Sequence, residues 1–210
     1  VIKNGKLIHE EYFGEYKPTT QTNSFSMAKA ITVLLMGLAI EDHKIKSENQ
    51  KFADFYPNFN EVEHGNELTL RDLAAMEAGY YWDEDYRNPF LQNPRIYYGK
   101  NMAEALLKSP QFEAKPGSRF EYQSGATQLL GFAIRKAVNV PLSAYASQKL
   151  WKPLGMESDA YCNVDEDNKM EKTFCCINAI PRDYAKLGQL MLQKGNWNGK
   201  RLIDSTYIQK

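Results

Sequence analysis

The chain has 210 residues with 26 Lys+Arg against 26 Asp+Glu, so its formal net charge is zero; 43% of its side chains are hydrophobic and 12% aromatic. A chain of this length can bury a real core without staples, and its charge balance argues against a general nucleic-acid binder or a polybasic membrane binder. The longest apolar run, Ala30 to Ile40, is about half a membrane span and contains Thr32, so no transmembrane helix is predicted.

The first residues read as a hairpin: Val1-Ile2-Lys3, a type I′ turn at Asn4-Gly5, then a second strand from Lys6 to about Phe13. Lys17 to Asn23 is polar, contains Pro18 and reads as a loop. Ser24 to Ile40 then reads as a largely buried helix, with Ala28, Ile31, Leu34, Leu35, Leu38 and Ala39 at helical spacing. Thr69-Leu70-Arg71-Asp72 resembles a capping box opening a helix that ends near Gly79, and Asn101 starts another. Further helices are predicted from Ser124 to Ala137, from Pro141 to Leu150, and between Pro181 and Gly195. Asp204-Ser205-Thr206 opens a last helix, which Lys210 cuts within its first turn or two. Strands segregated from helices predict an α+β fold. Two strands do not make a stable sheet, which suggests that sheet-forming strands are missing.

The three cysteines (Cys162, Cys175, Cys176) and three histidines (His9, His43, His64) show no CxxC, no HExxH and no ligand-spaced pair. The spacing therefore predicts neither a disulfide framework nor a metal site, and the cysteines read as small buried apolar residues.

Two segments carry chemistry. In Ser26-Met27-Ala28-Lys29 the hydroxyl and the amine share one helical face. Ser26 also stands at a helix N-terminus, where free N–H groups favour an anion. A hydroxyl beside an amine is a nucleophile–base pair; an N-cap serine and a snorkelling lysine would give the same letters. In the second segment, Pro116-Gly117 turns the chain toward Tyr122-Gln123-Ser124, just ahead of a helix. A phenol at that point can shuttle a proton between nucleophile and leaving group. Ser124 would then bond a substrate amide or hold Lys29. The structural alternative is an aromatic anchor and an N-cap.

Together these segments resemble the serine β-lactamase and penicillin-binding-protein superfamily, whose readable core is S-x-x-K, a second motif and a later K-T-G-like strand. Tyr122-Gln123-Ser124 resembles the Tyr-x-Asn motif of the class C branch. Lys51 to Pro57, Leu68 to Leu73, Leu154-Gly155-Met156, and Arg182 to Gly188 followed by Gly195-Asn196-Trp197 resemble other family segments in order. Ser124 in place of Asn, the stretch Tyr81-Trp82-Asp83-Glu84-Asp85-Tyr86, and Met170 to Ala179 look more like 6-aminohexanoate-dimer hydrolases and related esterases.

The resemblance implies a β-lactamase/transpeptidase-like α+β fold. Residues 1–23 would give N-terminal strands, 24–41 the nucleophile helix, 42–180 a mainly helical region, and 181–210 a return to the α/β part. It implies a serine acyl-hydrolase with Ser26, Lys29 and Tyr122 catalytic, and Ser124, Trp82 and Asn178 on the substrate side. No metal or cofactor is implied. The partner is a small-molecule or short-peptide ester or amide, with neither nucleic acid nor a membrane span involved. A β-lactamase or D-Ala-D-Ala peptidase is the nearest alternative, and a non-catalytic peptide- or cell-wall-binding homologue or inactive fragment is another. A bacterial periplasmic or secreted location is slightly favoured over a cytoplasmic one. No K-T-G, K-S-G or H-x-G follows the last family helix; Lys115-Pro116-Gly117 precedes Tyr122 and belongs to the turn. The family's C-terminal strands, with one oxyanion N–H, are thus expected beyond Lys210, and the 210 residues alone read as part of a larger enzyme.

Overall fold

A computed structural model describes residues 1–88 and 90–209. Its elements are mixed α+β: eight helices and seven very short strands among the described residues. Lys210 lies outside the described residues.

The N-terminal hairpin pairs β1 (Ile2–Lys3) with β2 (Lys6–Leu7), Lys3 opposite Lys6. Asn4 and Gly5 take φ of 51° and 73°, as a type I′ turn requires. The strand expected to reach Phe13 stops at Leu7; beyond it Ile8 N–H donates to Val1 O and the Val1 amine donates to His9 O at 2.6 Å. A second Asn-Gly hairpin joins β6 (Asn196–Trp197) to β7 (Lys200–Arg201) with the same two positive φ values, 49° at Asn198 and 78° at Gly199.

The predicted loop at 17–23 ends instead in β3 (Thr22–Asn23), which pairs antiparallel with β5 (Ile177–Ala179). The other side of β5 takes β4 (Tyr161–Cys162), giving a three-stranded sheet in the order β3-β5-β4. This sheet ties the residues just before the nucleophile helix to a segment more than 150 positions away.

The core forms around two fifteen-residue helices, α1 (Met27–Glu41) and α5 (Ser124–Val138), which pack against each other. Ile31, Leu34, Leu35 and Leu38 of α1 and Leu129, Leu130, Ala133 and Ile134 of α5 are all buried. The first helix is apolar on nearly every face, as expected of one enclosed by other elements. α8 (Ser205–Ile208) closes over it: the Tyr207 hydroxyl donates to Val33 O at 2.6 Å. A Cβ at Gly37 would lie 2.4 Å from the Tyr207 ring, so only glycine allows that approach.

α2 (Leu70–Ala74) opens with the predicted capping box, Thr69 Oγ1 accepting from Asp72 N–H and Asp72 accepting from Thr69 N–H. It ends five residues before Gly79, where Met76 turns to φ 60°. α3 (Gln92–Tyr98) was not foreseen; its proline falls in the first turn, where no helical N–H is lost. α4 (Met102–Leu107) starts after Asn101, whose side chain accepts from Glu104 N–H. The helix expected over 141–150 divides into α6 (Leu142–Ala146) and a π turn, Ser147–Trp151. α7 (Pro181–Leu192) begins at its proline, as predicted.

The cysteines depart from expectation. Cys175 and Cys176 are buried, but a disulfide joins them, and Cys176 turns to φ 71°. Cys162 is a free thiol. Adjacent cysteines close no loop of any length, so spacing gave no sign of the bond.

Candidate active site

Ser26 is exposed at the N-cap of α1, and its hydroxyl makes no capping bond. The N–H groups of Met27, Ala28 and Lys29 donate back to Ser24, Phe25 and Ser26, each at 3.1 Å, so the turn closes without the Ser26 side chain. Just before it, Phe25 takes φ 45°, an unusual conformation for a bulky residue. Its N–H donates to Asn23 Oδ1 at 2.8 Å, which fixes the entry to the helix.

One turn on, Lys29 is 8% exposed, although it carries an amine. Its Nζ donates to Phe174 O at 2.9 Å and lies 3.2 Å from Ser26 Oγ. The amine also sits 5.0 Å from the centre of the Tyr122 ring, within cation–π range. The Tyr122 hydroxyl reaches Ser26 Oγ at 2.8 Å. Three side chains read from two separate motifs therefore converge on one oxygen.

The Phe174 carbonyl is aimed by its neighbours. Thr32 Oγ1, one turn beyond Lys29, donates to Thr173 O at 2.9 Å. Ser24 N–H donates to Ile177 O at 2.7 Å, and Ile177 N–H donates to Ser24 Oγ at 3.2 Å. The Cys175–Cys176 disulfide spans the turn between these two ties.

Ser124, Trp82 and Asn178 are not bonded to this group. The Ser124 hydroxyl donates to Glu84 Oε1 at 2.5 Å, and the Trp82 Nε1–H donates to Glu84 Oε2, also at 2.5 Å. Trp82 is buried, with its ring against Gly125. Asn178 sits in the middle strand, and its side-chain amide donates to Asn163 Oδ1 at 3.2 Å. Glu84 is the residue that sequence reasoning missed. It lies inside the stretch read as family-like, but its partner stands 40 positions away, and no local pattern marks it.

Other nucleophiles compete poorly. Burial pushes the Cys162 thiol up to about 11, which leaves it protonated and inert. Among the described residues no cluster of His, Cys, Asp or Glu could hold a metal ion, and no helix is long and apolar enough to cross a membrane.

Residues 1–205 match the family model described as Beta-lactamase. The chain belongs to the Beta-lactamase family. Among solved structures it is similar to "Putative 6-aminohexanoate-dimer hydrolase from Bacillus anthracis", with 27% identity and a TM-score of 0.85, covering 99% of this chain and 57% of that one. A "putative beta-lactamase from Bacteroides dorei DSM 17855" shares the fold, with a TM-score of 0.81 at 18% identity, covering 99% of this chain and 61% of the other. Among curated proteins, a "Putative D-alanyl-D-alanine carboxypeptidase" of Escherichia coli O157:H7 is 29% identical over 178 residues, 74% of this chain and 41% of the relative. The Beta-lactamase-family chain thus spans less than half the length of that relative.

Proposed function

We propose that the protein is a serine acyl-hydrolase acting on an ester or amide bond of a small molecule or short peptide. The observation that carries this reading is the convergence of Lys29 Nζ and Tyr122 Oη on an exposed Ser26 Oγ, at 3.2 and 2.8 Å. In the proposed reaction Ser26 Oγ attacks the acyl carbon while its proton passes to the Lys29–Tyr122 pair. The Ser26 N–H, which precedes the bonded turn, supports the oxyanion. As the tetrahedral intermediate collapses, Tyr122 returns the proton to the departing oxygen or nitrogen. Water then attacks the acyl-Ser26 ester by the same proton route and releases the acid. Ser124, Trp82 and Asn178 would shape the pocket around this centre, since their polar atoms are already engaged.

The alternative within the family is a β-lactamase or D-Ala-D-Ala peptidase, which the name of the curated relative favours. The engaged Ser124 hydroxyl weighs against β-lactam turnover, because a short side chain bonded to Glu84 replaces an amide free to contact the drug. The buried disulfide and the bacterial relatives support a periplasmic or secreted location over a cytoplasmic one. Hydrolysis of a short acyl p-nitrophenyl ester by the full-length protein, set beside nitrocefin turnover, tests the reading. Ester turnover with fluorophosphonate labelling at Ser26 is expected. Fast nitrocefin turnover without esterase activity would favour the β-lactamase, and failure to label would favour a non-catalytic binding homologue.

A further inference from the structure

We infer that Glu84 is a positioning residue for Tyr122, an inference that rests on the proton-relay role proposed above for that phenol. Tyr122 is 44% exposed, so core packing does not fix its ring. Its place is set by the backbone on either side. Before it, Glu121 N–H donates to Met76 O at 2.8 Å. After it, the buried Gln123 donates from Nε2 to Tyr80 O at 2.7 Å. Next comes Ser124, and both of its donors end on Glu84: the backbone N–H on Oε2 at 2.8 Å and the hydroxyl on Oε1 at 2.5 Å.

Glu84 thereby caps α5 from a distant part of the chain. Neither Gln123, the formal N-cap, nor any acidic residue in the first turn does so. A carboxylate at this end of a long helix meets free N–H groups and the positive end of the helix dipole. The donors that reach its carboxylate are neutral: the two Ser124 groups, the Trp82 indole, and the Tyr86 hydroxyl at 3.5 Å. The helix end therefore supplies the electrostatic complement that a lysine or arginine would otherwise give. Glu84 is itself held, since fully buried Asn93 donates from Nδ2 to the Glu84 carbonyl at 3.0 Å. Trp82 completes the clamp: a Cβ at Gly125 would lie 2.5 Å from its ring, so the first turn of α5 has little room to shift. Glu84 acts through the backbone that carries Tyr122 and takes no part in proton transfer.

The test is a double-mutant cycle on the full-length protein with a p-nitrophenyl acyl ester, comparing wild type, Glu84→Ala, Tyr122→Phe and the double variant. Glu84→Ala should lower kcat about 10- to 100-fold with KM nearly unchanged, the size expected when a reacting group shifts by about 1 Å. In the Tyr122→Phe background the same change should alter kcat less than about 2-fold, because coupled residues do not add. Wild-type kcat in Glu84→Ala, or an undiminished loss in the Tyr122→Phe background, would overturn the inference. If Glu84→Ala fails to fold, the isosteric Glu84→Gln carries the same cycle. A crystal structure of the variant reads the Tyr122 Oη to Ser26 Oγ distance directly, whether or not the ester is turned over. Separation beyond hydrogen-bonding reach supports the role, and an unchanged distance refutes it. Failure of the hydrolase reading would show separately, as turnover that survives Ser26→Ala.

Discussion

Helix α1 brings Lys29, and the segment just ahead of α5 brings Tyr122, to the same oxygen, yet the N-termini of these two helices of equal length are built in opposite ways. At α1 the cap serine has no capping duty: its hydroxyl is left to Lys29 and Tyr122, and the turn is closed by backbone alone. At α5 the opening is filled by a carboxylate, and the serine beside it is fully engaged. At both ends the positive pole of the helix dipole favours an anion. Only α1 leaves that favour available to a developing oxyanion. Under the proposed function, the difference separates a reacting end from a holding end, although both carry a serine at the helix start.

The largest effect should come from the reacting end. Ser26→Ala is expected to abolish ester turnover and fluorophosphonate labelling together. Lys29→Ala and Tyr122→Phe should each lower kcat by about 10²- to 10⁴-fold, the range for a lost proton-transfer group, as read by steady-state kinetics. Wild-type activity in Lys29→Ala would refute the assigned pair. Gly125→Ala probes the holding end: its Cβ would meet the Trp82 ring at 2.5 Å. A destabilisation of about 1–3 kcal/mol is expected from such overpacking, measurable by denaturant unfolding. The smallest effect belongs to Phe25→Gly, which relieves a residue at φ 45° whose side chain is 66% exposed. Relief of left-handed strain, offset by the extra freedom of glycine when unfolded, should raise stability by about 1 kcal/mol or less.

The reacting end was legible in the sequence, and the holding end was not. Ser26 and Lys29 share one helical face within four residues, and the apolar spacing of α1 and α5 runs long enough to read. Tyr122 was legible through its place before a helix and through the family resemblance. Glu84 was not, because its role exists only across 40 positions. The central sheet was missed for a related reason: strands of two or three residues carry no period-2 pattern, and β3–β5 pairing joins Thr22 to Ala179. The two Asn-Gly hairpins show the reverse case. Asn4-Gly5 was read, whereas Asn198-Gly199 carries the same signal between flanks too short and polar to stand out.

The ties that assemble the reacting centre have a consequence in folding time. Ser26 and Tyr122 are separated by 96 positions, Lys29 and Phe174 by 145, and Ser24 and Ile177 by 153. Loop-closure entropy must be overcome before such distant contacts gain anything, so they form late, while a single helix can form within about a microsecond. In refolding, helical ellipticity should therefore return before Ser26 becomes reactive toward a fluorophosphonate. On this account the serine stays an ordinary hydroxyl as the chain emerges, and becomes a nucleophile only after residues 122 and 174 have joined it.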